Sequence, residues 1–214
     1  MADLLDTADR IKTKAHALFM QYGLRSVSMD DIAKELGVSK KTIYLHYEDK
    51  DALVEDVMTT VFENDKVCCN AYIEKSANAI HEIFLSIDFI VDMFKEMNPS
   101  VLFDLQKYHP KSFERFVLHK DNYLYSLVLS NIKKGIEEEL YRADLNAEIM
   151  ARLRVESLML PLTPNFQNKL KTSLVKLEEE ITMHFVFGLV TAKGYKLIIK
   201  YQEQKNKINE ASRK

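Results

Sequence analysis

Glycine and proline are scarce, at five and four of 214 residues. Few positions therefore suit tight turns or break helices, so long helices are expected and a fold of many short strands is not. Only two cysteines occur, adjacent at Cys68 and Cys69. They cannot build a cross-linking framework, and a reducing compartment is expected. No run of about 18 apolar residues exists, so no membrane span is expected. The opening MADLLDTADR is acidic and polar, without the basic and apolar regions of a secretory signal. A cytoplasmic protein is the expectation. The net charge of −2 and pI near 6.3 supply no global basic field. Nucleic-acid binding stays open, because local charge on the contacting face decides it.

Chemistry-bearing motifs are also missing. The six histidines show no HxxxH or His/Cys spacing, so no metal site is expected. There is no glycine-rich phosphate loop, nucleophile elbow or zinc-protease motif. No catalytic set is visible, no cofactor is implied, and an enzyme is not expected. Cys68 and Cys69 have only Lys66 as a nearby cation in sequence, so they read as ordinary helix residues rather than a redox sensor.

What is present is helical periodicity. Hydrophobic residues make up 47% and charged residues 29%, as in ordinary globular proteins. Ile11, Ala15, Leu18, Phe19 and Tyr22 repeat at spacings of three and four, with Gly23 as the stop. Ser28 caps a helix carrying Ile32, Ala33 and Leu36 that ends at Gly37, and Ser39 caps a short helix through about His46. A fourth helix opens at Glu48-Asp49-Lys50-Asp51 and runs into the low seventies. Further helices are expected over about 77–97, 101–107, 111–140 and 146–160, the last stopped by Pro161 and Pro164. A final one is expected over 169–202, with a fraying lysine-rich tail. The strand signal is negligible, so the fold class is all-α. Two parts are expected, 1–50 and 51–214, joined through the fourth helix without a flexible linker.

Residues 28–47 have the outline of a helix-turn-helix: a capped helix, a turn containing Gly37, and a second short helix. Val38, Ile43 and Tyr47 share a face and should point inward. Lys40, Lys41, Tyr44 and Leu45 then lie largely on other faces. Solvent accounts for the lysines but not for an outward Tyr44 and Leu45. A DNA groove accounts for all four, with cations on phosphates or guanine edges and Leu45 on a thymine methyl.

The segment resembles the DNA-binding domain of the TetR family of bacterial transcriptional regulators. The resemblance rests on Ala15-His16-Ala17-Leu18-Phe19, Gly23, Asp31-Ile32-Ala33 and Gly37-Val38-Ser39. It continues, in one register, through Thr42-Ile43-Tyr44-Leu45-His46-Tyr47, Lys50 and Leu53. It implies that Lys40, Lys41 and Leu45 face base edges, and that Thr42, Tyr44, His46 and Lys50 hold the backbone, with Ser28 on a phosphate. Tyr47 stands where phenylalanine is usual, so its hydroxyl needs a partner if buried. Glu48 and Asp49 should sit at the N-terminus of the fourth helix, where the dipole favours acids.

For the remainder the resemblance implies a helical body with a ligand pocket. Phe62, Phe84, Phe103 and Tyr123 are candidates to line it, although filling a core explains each of them as well. Glu139 stands where the family often has glycine, so the turn there is expected to come later. In the last helix Ile181, Phe185, Gly188, Ala192, Tyr195 and Ile199 form a coiled-coil-like seam, and Met183, Phe187, Val190, Gly194 and Ile198 form a second row. A helix apolar on two faces needs two partners, its own bundle and a second subunit. With Ile149, Leu153, Leu158 and Met159 from the preceding helix, a two-fold homodimer is expected. The expected function is a ligand-responsive regulator, by the resemblance a repressor, with a palindromic DNA operator and an unidentified small-molecule effector as partners. Two other readings remain open. One is a helical binding protein or enzyme with an incidental helix-turn-helix outline. The other is a DNA-binding regulator without a small-molecule effector.

Overall fold

The computed structural model describes residues 2–163, 166 and 169–211, with side chains throughout except at 2–6, 96 and 208–211. The described residues are helical apart from turns and one isolated antiparallel bridge between Tyr141 and Val190. No described helix is long and apolar enough to cross a membrane. Two compact units form. The first holds residues 1–67, 93–119 and 162–174, and the second holds 68–92, 120–161 and 175–214. These units follow compactness and not role, so the division into 1–50 and 51–214 is a statement about function that the units do not test.

In the first unit α1 (Ala2–Tyr22) buries Ile11, Ala15, Leu18 and Phe19, while Tyr22 is exposed. Gly23 ends α1 at φ 82°, where an added Cβ would lie 2.6 Å from Ser100 Oγ. α2 (Met29–Leu36) and α3 (Lys40–Tyr44) follow. α4 (Lys50–Lys75) supplies Leu53, Val54, Val57 and Met58 to the same core. α5 (Ala79–Glu96) reaches this unit only at its end, whereas α6 (Val101–Tyr108) and α7 (Pro110–Leu118) lie within it. Val101 and Leu105 of α6 complete the core beneath the helix-turn-helix. Buried His109, between α6 and α7, is 2.6 Å from Asp51 of α4 through Nδ1.

The second unit is built on α8 (Tyr125–Glu137), α9 (Ala147–Ser157), α10 (Leu174–Leu189) and α11 (Ala192–Ala211), with most of α5. Its core holds Ile80, Phe84, Ile132, Tyr141, Val186, Leu189 and Ile198.

Four expectations about the helices are corrected. The helix expected over 111–140 is α7 and α8 separated by a π-helical turn, His119–Leu124. The wider turn buries two consecutive side chains against different partners. His119 pairs with Asp65 at 2.7 Å in the first unit, and Lys120 with Glu156 at 2.6 Å in the second. The single last helix is α10 and α11, parted at Val190-Thr191. There Arg142 N donates to Leu189 O and Thr191 N to Leu140 O, both at 2.9 Å. Thr191 Oγ1 then accepts from Gly194 N as the cap of α11. The tail does not end near Gln202. α11 continues to Ala211, and Lys205 pairs with Asp88 at 2.7 Å. Finally, the turn after α8 occurs at Glu139 itself, which takes φ 60°. Pro161 falls in a 3₁₀ turn, Leu160–Leu162, while Pro164 lies outside the described residues.

Candidate nucleic-acid interface

Local hydrogen bonds shape the reading head. Ser28 Oγ accepts from Asp31 N at 3.2 Å, and the Asp31 carboxylate accepts from Ser28 N at 2.8 Å and from its hydroxyl at 2.6 Å. This reciprocal pair is a capping box with Asp at the third position. Those bonds hold the Asp31 carboxyl below the usual carboxylate range. Gly37, at φ 67°, closes α2 with its N–H on Lys34 O at 3.1 Å and Val38 N on Ala33 O at 3.0 Å. Ser39 caps α3 through Thr42 N at 3.1 Å. Asp49 accepts from Ala52 N at 2.8 Å and opens α4, as the dipole favours.

Inside the turn Ile43 is fully buried and Tyr47 is buried. Tyr47 finds the partner its hydroxyl requires, donating to Asp56 Oδ2 at 2.7 Å. Outside, Lys40 and Lys41 are exposed, Tyr44 is 43% exposed and Leu45 is 71% exposed. Ser28 is exposed, and Thr42 and His46 are half-buried. Seven of the eight residues expected at DNA thus lie between the α2 cap and the turn that follows α3, with at least partly accessible side chains.

The eighth, Lys50, turns inward. Its ammonium donates to the carbonyl of Leu24 and lies 5.8 Å from the Phe19 ring centroid. Burial pulls its pKa down, against nearby carboxylates that raise it. Its partner is 26 residues away in sequence, and no local pattern announces it. Asp30 is the residue the sequence reading missed. Its carboxylate holds Lys40 Nζ at 2.7 Å, and that bond raises the lysine's pKa. Lys40 also lies 5.9 Å from the Tyr44 ring centroid. Thr42 Oγ1 shares a 2.8 Å hydrogen bond with Ser39 Oγ. Four candidate contacts, Ser28, Lys40, Thr42 and Lys50, thus have side-chain partners within the chain.

The four pocket candidates are divided between the two units. Phe62, in the first unit, stacks on His119 at 5.0 Å and lies 6.3 Å from Phe116. Phe103 is 43% exposed, with Lys107 Nζ 5.6 Å from its ring centroid. Phe84 is buried in the second unit, 5.4 Å from Tyr201, and Tyr123 sits half-buried in the π-helical turn.

Of the expected dimer residues, Ile149 and Leu153 project from α9 at 60% and 53% exposure. Gly188, Ala192 and Tyr195 are exposed, while Ile181 and Phe185 are half-buried. The expected seam crosses the break at Val190-Thr191, so it is two short faces and not one continuous stripe. Phe187, assigned to the second row, is exposed beside Tyr195 with ring centroids 5.7 Å apart. Gly194 and Ile198 of that row are buried.

Among the described residues no group of three or more His, Cys, Asp or Glu is placed to hold a metal. Cys68 is exposed, Cys69 is buried, and neither is in a disulfide.

Comparison with known proteins adds independent information. The family model described as "Bacterial regulatory proteins, tetR family" matches residues 11–57. Over 187 residues the chain is 24% identical to YvaF of Bacillus subtilis, known as an uncharacterized HTH-type transcriptional regulator. That similarity covers 86% of this chain and 95% of YvaF. An HTH-type transcriptional regulator of Staphylococcus aureus is 43% identical over 51 residues, 24% of this chain and 28% of that one. In three dimensions, a TetR-family regulator from Agrobacterium tumefaciens superposes with TM-score 0.74 at 14% identity, over 88% of this chain and all of that one. One from Chloroflexus aurantiacus gives 0.69 at 19%, over 89% of this chain and all of that one.

Proposed function

The chain belongs to the TetR family of DNA-binding transcriptional regulators, a non-enzymatic family, and from that premise we propose that it is a homodimeric repressor of a palindromic operator, released by a small-molecule effector. The observation that carries the DNA-reading assignment is the outward Lys40, Lys41, Tyr44 and Leu45 on α3. Lysines on a free surface are ordinary, whereas an exposed leucine close after them is explained by a thymine methyl in a major groove. Lys40, Lys41 and Leu45 face base edges. Ser28, Thr42, Tyr44 and His46 hold the backbone. Lys50 joins them on releasing the Leu24 carbonyl.

Two copies of the head need a two-fold axis, which the exposed Ile149, Leu153, Gly188, Ala192 and Tyr195 supply as a self-complementary apolar surface. Half-sites then lie about 34–36 Å apart. An effector bound in the helical body shifts the balance between dimer states whose heads do and do not match that spacing.

A gel-shift titration against the upstream intergenic DNA, at two salt concentrations, tests the DNA reading. Specific binding that weakens steeply with salt is expected. Lys41→Ala should weaken specific binding by about 1–3 kcal/mol and relax specificity at the base pair that Lys41 faces. Affinity indifferent both to salt and to a Lys40→Ala, Tyr44→Ala double substitution would overturn the assignment.

A further inference from the structure

Asp30, the second residue of α2, has no part in the DNA contacts assigned above. An acid in the first turn of a helix is ordinary, but Asp31 already fills that place, with its carboxylate closed on Ser28. Asp30 reaches across the turn to α3 instead. Its Oδ1 lies 2.7 Å from Lys40 Nζ, and both side chains stay more than half exposed, at 62% and 56%. Lys40 Nζ also lies 5.9 Å from the Tyr44 ring centroid, so a carboxylate and a ring both adjoin the ammonium. Lys41, the next residue, has no ion-pair partner among the described residues. An exposed ion pair adds little to stability, and a carboxylate on a face that meets a polyanion lowers affinity. Neither stability nor attraction to DNA accounts for Asp30.

We propose that Asp30 is the positioning residue that makes Lys40 a reader of sequence: it keeps the ammonium from the phosphates and presents its remaining N–H donors to a guanine edge. This rests on the placing of Lys40 at base edges in the proposed function. A free lysine is a compact charge on a flexible stem and takes whichever phosphate is nearest, with no preference for sequence. Lys40 paired with Asp30 is neutralised, so it adds little to the attraction for DNA in general. An ammonium carries three N–H donors, of which the pair uses one. The two left suit the O6 and N7 acceptors that lie together on guanine, whereas adenine sets a donor, N6, beside its N7. Affinity for any duplex is thus exchanged for discrimination between duplexes.

The test uses the full chain, the upstream intergenic duplex, a scrambled duplex of equal length and Asp30→Asn, which removes the charge at constant shape. Lys40, once released, should add about one phosphate contact. Binding to the scrambled duplex should then tighten about fivefold at about 0.15 M salt, with a salt slope steeper by about 0.9. Binding to the intergenic duplex should not tighten in proportion, so the ratio of the two affinities should fall by about fivefold. Selection from a pool of randomised duplexes should show a weaker guanine preference at one position in each half-site. Asp30→Glu, which keeps a carboxylate, should restore most of the ratio. In a Lys40→Ala background Asp30→Asn should leave the ratio unchanged, whereas in a Lys41→Ala background it should still lower it. A merely structural role would not depend on which lysine is present. Equal tightening on both duplexes would make Asp30 a general repulsive charge and overturn the proposal, as would a fall in the ratio that persists without Lys40. The bonds between Ser28 and Asp31 are untouched by these changes, and Asp30→Ser is the second variant should Asp30→Asn lose α2. A wild type that discriminates between the duplexes, with the same ratio in Asp30→Asn, removes this proposal alone. A wild type that binds both duplexes alike removes the base-edge reading of Lys40 and the proposal with it.

Discussion

Glu139→Gly should stabilise the protein, although it removes a charged side chain and adds a flexible residue. Glu139 follows α8 at φ 60°, in the left-handed region. Its N–H reaches Ile136 O at 3.0 Å, and the next N–H, of Leu140, reaches Gly135 O at 2.9 Å. These are the two bonds of a Schellman closure, whose left-handed position is usually glycine. A residue with a Cβ there costs about 1–2 kcal/mol. Glycine would give back about 0.5–1 kcal/mol through unfolded-state entropy. The exposed pair of Glu139 with Lys193 at 3.5 Å is worth at most a few tenths of a kcal/mol. The net gain is about 0.5–1 kcal/mol, or about 1–4 °C in the melting transition of the second unit. Circular dichroism during heating, with urea titration as a second measure, reads this directly. Glu139→Ala is the control, since it removes the carboxylate and keeps the strained backbone. A lowered midpoint in Glu139→Gly, or equal stabilisation by Glu139→Ala, would refute the backbone argument.

Alanine at Gly135 should act in the opposite direction, because its Cβ would meet Tyr141 Cδ2 at 2.1 Å. Overpacking of this kind costs about 1–3 kcal/mol, so the second unit should melt several degrees lower, and an unchanged midpoint would show that Tyr141 can move aside. Burial raises the pKa of Tyr47, helped by its bond to Asp56, and burial raises that of Tyr141. The folded state keeps protons that the unfolded chain gives up near pH 10, so this stabilisation is complete below about pH 10 and declines as pH rises further. Melting curves between pH 8.5 and 11 should show the decline, and Tyr47→Phe should flatten it. Sedimentation should give a mass near twice 24.9 kDa, and Leu153→Glu on the exposed face of α9 should yield folded monomer. A wild-type monomer, or an L153E dimer, would remove α9 from the interface.

The helix-turn-helix was legible because its determinants are local. The bond from Asp31 to Ser28 and that from Thr42 to Ser39 each span three residues, and the Val38–Ala33 closure spans five. Such bonds follow from residue type and spacing alone. Tyr44 and Leu45 were placed outward by period, since Ile43 and Tyr47 take the inward face. The same reasoning could not supply the partner of Lys50, a carbonyl in the loop after α1. It failed in the last helix, where an unbroken apolar period ran across Thr191. A period records which side chains are apolar and not whether the backbone between them is continuous. Glu139 misled in another way: the expected glycine was absent, but the closure formed there regardless.

The pattern of residues was sufficient for the all-α class, the caps of the reading head and its outward face, because each depends on contacts within a few positions. Tertiary structure alone decided that α10 and α11 part at Val190-Thr191, since the bonds holding them there come from Leu140 and Arg142 some fifty residues earlier. It alone brought Arg154 of α9 to Glu178 of α10. Local hydrogen bonds can be read along a chain, but which distant groups meet depends on how the helices pack.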